Sequence, residues 1–334
     1  MKVAVNGFGR IGKLVVQAAF EAGAVGKKFD IVAINDTHDP KLTAHLFKYD
    51  STQGIFKGKV KGEPGKFTFG SYEIPIVADR NPENLPWEKM EVDLVLECTG
   101  AFRTREGAEK HLKAGAKKVL ISAPGKGEGI DATVVLGVNE RDYNKKKHSI
   151  VSIGSCTTNC LAPVAKVLDD KFGIENGFMT TCHAYTNDQN ILDANHKDFR
   201  RARAGAVSII PTSTGAAKAI GEVIPKLKGK LDGIALRVPI PVGSANDLVC
   251  NLSKTATKDE INAAFKTEAS GPMKRILEYT EEPIVSSDIV HNPASSIVDG
   301  LSTKTIGKAA KTLSWYDNEW GFSNRMIEMA VRMF

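Results

Sequence analysis

The stretch KVAVNGFGRIGKLVVQAAFEAG, residues 2–23, decides the fold. It begins with an apolar strand-like run over 2–7, passes through a glycine-rich turn, and continues over 10–23 with apolar residues at helical spacing. A second strand-like run, FDIVAIND, occupies 29–36. A strand, a helix and a strand in this order predict parallel pairing, because the crossover helix returns the chain to the same end of the sheet.

The same alternation continues further along the first half. Strand-like runs occupy 92–100, 118–125 and 132–139, with a helical pattern at 106–116 between the first two. Parallel strands with helices on both faces form an open α/β sheet. The sequence therefore predicts a Rossmann-type, doubly wound parallel sheet that ends near residue 150.

Three glycines in NGFGRIG carry the first functional signal. Gly7, Gly9 and Gly12 follow a strand and open a helix in the G-x-G-x-x-G spacing. The first permits a tight turn, the second lets a pyrophosphate approach the backbone, and the third allows the helix to pack closely on the strand. Asp36 ends the second strand, where an acidic residue binds a ribose hydroxyl. These residues predict a dinucleotide site.

The second half has a different texture. LDGIALRVPIPVGSANDLVCNLS (231–253) and strand-like stretches within 285–315 predict a mixed or antiparallel sheet, accompanied by helices at 258–270 and 318–334 and a long ordered loop at 196–215. A chain of 334 residues exceeds the usual size of one hydrophobic core. We predict a dinucleotide-binding domain over 1–155 and 318–334, and an α+β catalytic domain over 156–317.

Composition excludes several classes of protein. The chain has 42% hydrophobic and 25% charged residues, no apolar run of membrane-spanning length and no secretory signal pattern. A net charge of +6 with 7% aromatic residues lacks the dense basic patch of a nucleic-acid binder. Five scattered cysteines suit a reducing compartment better than a disulfide framework. We expect a cytoplasmic protein without nucleic-acid or membrane partners.

SCTTNC, residues 155–160, holds the candidate nucleophile. Cys156 follows a predicted strand at a helix start, where the helix dipole favours a thiolate and a lowered thiol pKa. His183 could complete its activation. The rival interpretation, a zinc site formed by Cys156, Cys160 and Cys182-His183, lacks the paired C-x2-C ligands typical of zinc, and we expect no metal. Cys160, Cys98 and Cys250 are predicted to be buried core residues.

Eight motifs, in order, closely resemble phosphorylating glyceraldehyde-3-phosphate dehydrogenase over essentially the whole chain. They are NGFGRIG, AIND, SCTTNC, the HxYTxDQ pattern, RRARA, PTSTGAAKA, LRVP and SWYDNEWG. The resemblance implies that Cys156 attacks the aldehyde of glyceraldehyde 3-phosphate to give a thiohemiacetal. It also implies that His183 takes the hydroxyl proton as hydride leaves for the nicotinamide. Inorganic phosphate then cleaves the resulting thioester, giving 1,3-bisphosphoglycerate.

The resemblance also implies binding residues. Thr186 and Arg237 would hold the substrate phosphate. The attacking phosphate would lie against Ser155, Thr157, Thr214 and Gly215, with Arg201 nearby. Asn318 would hydrogen-bond the nicotinamide carboxamide. The remaining cofactor residues implied are Gly9, Arg10, Ile11, Asp36, Arg80, Thr99 and Ser122.

Only a few positions bear on whether the cofactor is NAD or NADP. Thr37 after the ribose aspartate, and Ala194-Asn195 where NAD-restricted members carry Leu-Pro, resemble members that also take NADP. The Asp36 carboxylate opposes this, because it repels an added 2′-phosphate. We expect use of NAD with appreciable use of NADP.

Two alternatives stay open at the level of sequence. An erythrose-4-phosphate dehydrogenase would share the cysteine and the histidine, but its members depart from the YTxDQ and STGAAKA patterns that are intact here as YTNDQ and STGAAKA. A non-catalytic nucleotide-binding protein would have no need of both Cys156 and His183. The family forms homotetramers, and GIALRVPIP could serve such an interface or a core.

Overall fold

The first strand, turn and helix form where the sequence predicts them. In the computed structural model, which describes residues 1–334, β1 covers Lys2–Asn6 and α1 covers Arg10–Glu21. Helix α1 buries Leu14, Val15, Ala18 and their neighbours. The chain divides into two compact units, one of residues 1–134, 141–154 and 323–334, the other of residues 135–140 and 155–322.

The first unit is built on a nine-stranded sheet in the order β10-β11-β9-β8-β1-β2-β7-β6-β5. The pairs from β10 to β7 are parallel, whereas β7, β6 and β5 pair antiparallel at one edge. The prediction of a Rossmann-type parallel sheet is confirmed. After β1 and α1 the elements are β2 Asp30–Asn35, α2 Pro40–Lys48, β3 Tyr49–Asp50, β4 Gly54–Ile55, β5 Val60–Glu63, β6 Lys66–Phe69, β7 Tyr72–Val77, β8 Leu94–Glu97, α3 Arg105–Lys113, β9 Lys118–Ile121, β10 Ala132–Thr133 and β11 Ile150–Ser152.

An aromatic cluster fills the antiparallel side of this unit. Phe47 is fully buried and lies 5.0 to 5.9 Å, centroid to centroid, from four other phenylalanine rings. Those four rings belong to Phe8, Phe56, Phe67 and Phe69. The cluster joins α2 to the β5–β7 hairpins, which the sequence analysis did not predict because they share no helix-strand alternation with their neighbours.

The second unit holds a seven-stranded mixed sheet in the order β13-β14-β12-β15-β18-β17-β16. Strands β12 and β14 pair in parallel. Strand β15 pairs antiparallel with β12 on one side and with β18 on the other. The prediction of a mixed sheet is confirmed. Its elements are α4 Cys156–Phe172, β12 Ile174–Ala184, β13 Ile210–Ser213, α5 Ala216–Val223, β14 Leu231–Val238, β15 Ser244–Leu252, α6 Lys258–Ser270, β16 Leu277–Thr280, β17 Ser296–Ile306, β18 Ala309–Tyr316 and α7 Trp320–Arg332, which extends into the first unit's residues.

Three local predictions were wrong. The expected strand at 132–139 stops at Thr133, because the chain turns over 135–139, where the Val138 and Asn139 N–H groups both donate to the Val135 carbonyl at 3.1 Å and Gly137 adopts φ +80°. The nominal loop at 196–215 contains β13, which pairs with β14. Cys98 follows β8 and is only half-buried, whereas Cys160 and Cys250 lie in the core as predicted.

Alternation along β12 places its side chains on two faces. Thr181 and His183 are buried, and Phe178 and Cys182 are exposed on the other side. The rival zinc set therefore does not converge, since Cys182 and His183 point to opposite faces of the sheet. No helix combines the length and apolar character needed to cross a membrane.

Candidate active site

The glycine-rich turn is shaped by close backbone approach. Gly7 has φ +89°, and a Cβ on Gly12 would lie 2.1 Å from the Gly7 carbonyl oxygen. Gly9, the N-cap of α1, has open space where its Cβ would lie, and no side chain caps the helix there. The turn thus leaves a cradle in front of a helix N-terminus, which fits a pyrophosphate.

The other candidate cofactor residues of the first unit follow the carboxyl ends of its strands. Thr99 lies after β8, where its backbone N–H donates to Glu97 Oε1 at 2.8 Å, and Ser122 lies after β9, donating its N–H to the Glu97 carbonyl at 3.0 Å. The Arg10 guanidinium is held by Asp50 and Thr52, with 2.8 Å to Thr52 Oγ1. Ile11 lies in the first turn of α1, and Arg80 is exposed.

A buried polar chain supports this edge from below. Glu97 and His111 are fully buried, with 3.0 Å between Oε2 and Nε2. Trp87 Nε1 donates to His111 Nδ1 at 3.0 Å, which leaves the imidazole proton on Nε2, facing the carboxylate. Asn6 Nδ2 donates to the same carboxylate at 2.6 Å. The sequence does not reveal this group, because its members carry no motif of their own.

In the second unit, the thiol of Cys156 lies at the first residue of α4. Ser155 is the N-cap, and its Oγ accepts from the Thr158 N–H at 3.0 Å. The Cys156 side chain is therefore held at the N-terminus of a capped helix. Cys156 Sγ lies 3.4 Å from His183 Nε2. The structure brings together the predicted nucleophile and base.

The pairing of β12 with β14 adds a cation to this centre. His183 and Arg237 are direct partners in the parallel register, and Arg237 Nη1 lies 2.7 Å from His183 Nδ1. The Ala184 carbonyl oxygen lies 2.7 Å from the same Nδ1 and 3.0 Å from Nη1. Donation from Nδ1 to this carbonyl leaves the Nε2 lone pair facing the thiol, whereas donation from Arg237 to Nδ1 puts the proton on Nε2.

The protonation states differ from the sequence-based prediction. Burial raises the pKa of the Cys156 thiol, although the charge of Arg237 and hydrogen bonds from Thr157 oppose it. Burial and the Arg237 charge lower the pKa of His183 to about 3. The prediction of a resting thiolate was wrong, because desolvation outweighs the helix N-terminus. Both shifts favour the uncharged forms, a thiol beside a neutral imidazole.

A buried tyrosine completes the centre and was not predicted. The Tyr316 hydroxyl lies 2.9 Å from both Thr157 Oγ1 and Thr181 Oγ1, and its ring meets His183 edge-on at 5.9 Å. The Thr157 hydroxyl is thereby turned inward. The motif SWYDNEWG contains this tyrosine, so its place in the motif was the available signal.

The remaining candidate phosphate-binding residues of this unit lie after β12, in the segment before β13 and just before α5. Thr186 follows β12 and is tied to Gln189, with its N–H 2.9 Å from Gln189 Oε1. Arg201 is bonded to Asp188 and to Thr212 Oγ1, the latter at 2.7 Å. Thr214 and Gly215 directly precede α5, and Gly215 is its exposed N-cap. This terminus offers N–H donors to an anion.

Asn318 is buried and held in one orientation. Its side-chain oxygen accepts from the Gly243 N–H at 3.2 Å and from Ser244 Oγ at 3.0 Å. The two donors fix which end of the amide is oxygen, so the Nδ2 end is presented on the other side.

Comparison with known proteins agrees with this chemistry. Residues 1–105 match the family model for the glyceraldehyde 3-phosphate dehydrogenase NAD-binding domain, and residues 155–318 match that for the C-terminal domain. Proteins named glyceraldehyde-3-phosphate dehydrogenase include one from Streptomyces avermitilis, 54% identical over 99% of this chain and 98% of that protein. Others come from Borreliella burgdorferi, 54% identical over 100% and 99%, and from Geobacillus stearothermophilus, 53% identical over 99% and 97%. With both family domains present and such identity along its whole length, this chain belongs to the glyceraldehyde-3-phosphate dehydrogenase family.

Proposed function

We propose that the chain oxidises glyceraldehyde 3-phosphate with NAD and inorganic phosphate to 1,3-bisphosphoglycerate. The observation that carries the proposal is the 3.4 Å approach of Cys156 Sγ to His183 Nε2 at the N-terminus of α4, beside Arg237. A nucleophile, a base and a cation for the substrate phosphate meet there. We assign the first unit as the dinucleotide-binding domain and the second as the catalytic domain.

The first step is addition of the thiol to the aldehyde. The Sγ–C bond forms while His183 Nε2 takes the thiol proton and passes it to the former carbonyl oxygen, giving a thiohemiacetal. General-base catalysis of this kind suits a pair that is neutral at rest, because no charge has to be buried before the aldehyde arrives. The substrate phosphate would bind Arg237 and Thr186. Nε2 acts as the base in the tautomer whose Nδ1–H donates to the Ala184 carbonyl, and a substrate phosphate that engages Arg237 would favour this tautomer by drawing the competing donor away from Nδ1.

The next steps return the proton and release the product. His183 Nε2 takes the hydroxyl proton as the C–H electron pair departs, and the carbonyl reforms as a thioester on Cys156. NAD would accept the hydride. The residues that would hold it are Gly9, Arg10, Ile11, Asp36, Arg80, Thr99, Ser122 and Asn318. An oxygen of inorganic phosphate then attacks the thioester carbon, the C–S bond breaks, and the departing sulfur regains a proton from His183.

The attacking phosphate would bind donors at the starts of two helices. We assign it to Ser155, to the backbone N–H of Thr157, whose hydroxyl is bonded to Tyr316, and to Thr214 and Gly215 at α5. Arg201 would act by holding the segment before Thr214 in place, since its guanidinium is bonded to Asp188, Thr212 and the Ser213 carbonyl.

An assay of NADH formation tests the proposal. With glyceraldehyde 3-phosphate but no phosphate, we expect a burst of about one NADH per site followed by a slow phase, because the thioester waits for its acceptor. Added phosphate should restore steady turnover. Cys156→Ser should lower kcat by on the order of a thousandfold or more, with Cys160→Ser as the matched control. Steady turnover that ignores phosphate would instead favour the erythrose-4-phosphate type of reaction.

We further propose that NADP is accepted beside NAD. Thr37 is exposed after Asp36, and Ala194-Asn195 replaces the Leu-Pro pair of NAD-restricted members. The measurement is kcat/KM for each cofactor, in the parent and in Ala194→Leu with Asn195→Pro, which we expect to lose NADP use preferentially. A parent with no NADP turnover contradicts this part alone.

We also propose a cytoplasmic homotetramer. Exposed apolar side chains gather on the outer face of the catalytic sheet and on the segment before β13, and exposed apolar patches mark protein–protein contact sites. They are Phe178, Ile191, Leu192, Phe199, Val207, Ile209, Ile234 and Val249. The five free cysteines suit a reducing compartment.

A further inference from the structure

His38 lies two residues after Asp36, in the loop that joins β2 to α2, and the two side chains are paired. His38 Nδ1 lies 2.7 Å from Asp36 Oδ1, and the His38 backbone N–H donates to the same oxygen at 3.1 Å. Thr43 Oγ1 donates to Asp36 Oδ2 at 2.6 Å. Only 4% of the Asp36 side chain is exposed, against 71% for His38. The imidazole is therefore the accessible end of an enclosed carboxylate.

The carboxylate is kept charged by these contacts. Burial acts to raise the pKa of Asp36, but hydrogen bonds from Thr43 and His38 outweigh it and lower the pKa below its ordinary value. Three of the roughly four acceptor positions of the carboxylate are used within the chain, which leaves one for a ribose hydroxyl. A fixed negative charge at this position repels a dinucleotide that carries a 2′-phosphate.

The state of the His38 ring decides what the loop presents to such a ligand. Because an ionised carboxylate only accepts, Nδ1 must carry its proton toward Asp36. The exposed Nε2 is then a lone pair in the neutral ring and an N–H donor in the imidazolium. A phosphate oxygen needs a donor, and a charge-assisted bond from an imidazolium is the stronger kind. The protonated ring also cancels the charge of Asp36.

Few other charges bear on this pair. Lys13 of α1 interacts electrostatically with Asp36 and also with Arg10 and Asp50. The Asp39 side chain is the N-cap of α2, where it accepts a hydrogen bond from the Lys41 N–H at 2.8 Å. From the segment after β7, Asp79 accepts from the Asn81 N–H and from Asn84. His38 is thus the one titratable group in contact with Asp36.

We propose that His38 reads the ribose 2′ position, its protonated ring binding the 2′-phosphate of NADP. The inference rests on the proposed use of both cofactors. Protonation converts Nε2 from an acceptor to a charged donor, so the preference for NADP should rise as the pH is lowered. Binding of NAD is not strengthened by the added proton, because NAD has no phosphate at the 2′ position.

The experiment measures kcat/KM for NADP and NAD from pH 6.0 to 8.5 in the parent and in His38→Gln, with His45→Gln as a matched exposed control on α2. We expect the NADP to NAD ratio of the parent to rise about tenfold from pH 8.5 to 6.0. The 2′-phosphate itself titrates near pH 6. In His38→Gln only the titration of the 2′-phosphate remains, so the NADP to NAD ratio should rise much less than in the parent. In His45→Gln the ratio should rise as it does in the parent.

Calorimetry supplies a readout without turnover. Adenosine 2′,5′-bisphosphate and adenosine 5′-monophosphate differ only in the 2′-phosphate, and their binding to the full-length enzyme is compared at pH 7.5 in buffers of different ionisation enthalpy. The bisphosphate should take up more protons in the parent than in His38→Gln. If the parent uses NADP but His38→Gln reproduces its pH profile and its proton uptake, the inference about His38 is wrong and dual cofactor use stands. If the parent turns over no NADP and the bisphosphate binds no better than the monophosphate at pH 6.0, both are wrong.

Discussion

At the scale of single residues, Arg237 acts in opposite directions on the two groups of the catalytic centre. Its positive charge favours the Cys156 thiolate and disfavours a protonated His183. Burial disfavours the charged form of both. These effects favour the uncharged forms of both groups, which lie 3.4 Å apart, so that one proton can pass between them. A substrate phosphate that engages Arg237 would change both sides of this balance.

The low pKa of His183 predicts a pH dependence of stability. Burial, followed by the Arg237 charge, lowers this pKa to about 3, whereas a histidine in the unfolded chain titrates near pH 6.5. Between about pH 3 and pH 6.5, His183 binds a proton in the unfolded chain but stays neutral in the folded protein. The stability associated with His183 is therefore present above about pH 6.5 and is lost as the pH falls below it.

Urea unfolding of parent and His183→Asn, at equal protomer concentration from pH 4 to 8, measures this effect. The parent should take up about one more proton on unfolding near pH 5 than the variant does. Equal pH slopes for the two proteins would contradict the assignment. His196→Asn, which changes a histidine outside the core, serves as the control.

Two glycines of the same turn should respond differently to alanine. Gly12→Ala would place a Cβ 2.1 Å from the Gly7 carbonyl oxygen, and we expect loss of folded protein. At Gly9 the added Cβ has open space within the chain, so Gly9→Ala should unfold at the parental Tm. It would nevertheless fill the space we assign to the pyrophosphate, and KM for NAD should rise about tenfold or more. An unchanged KM would contradict the proposed cofactor site.

At the scale of elements, function depends on how α4 and β12 begin and end. Ser155 caps α4, so that Cys156 is the first residue of the helix. His183 is the penultimate residue of β12 and pairs with Arg237 on β14. Neither element is placed by its own propensity. Helix α4 packs Leu161, Val164 and neighbouring residues into the core of the catalytic unit, and that burial holds the thiol in place.

Helix α6 provides an element-scale test of stability without function. Thr257 and Glu260 form a complete capping box at its start. Thr257→Ala should destabilise the protein by about 1 kcal/mol, because backbone N–H groups lose their acceptor. Thr255→Ala, two residues earlier on the exposed chain, should have little effect. Denaturant titration gives the two values, and a change in kcat for Thr257→Ala would show that α6 is coupled to the active site.

At the scale of the whole molecule, the apolar outer face of the catalytic sheet predicts assembly. Phe178 is 73% exposed on β12, on the face opposite to His183. Phe178→Asp would place a charge on the proposed subunit interface, and we expect the tetramer to dissociate at micromolar concentration, as followed by light scattering. Ile55→Asp changes another exposed apolar residue, on β4, and should leave the assembly intact. A monomeric parent would refute the proposal of a tetramer.

The sequence by itself determined the parallel sheet, the glycine turn and the choice of Cys156 and His183 as candidate nucleophile and base. Those features are local: a helical period, a strand period and a glycine spacing each repeat over a few residues. Only the tertiary structure decided that burial favours the uncharged forms of Cys156 and His183, that Tyr316 pairs with the Thr157 hydroxyl, and that Asp36 is bonded to His38 and Thr43. Desolvation and hydrogen bonds between distant segments set these outcomes, and neither is encoded in the order of neighbouring residues.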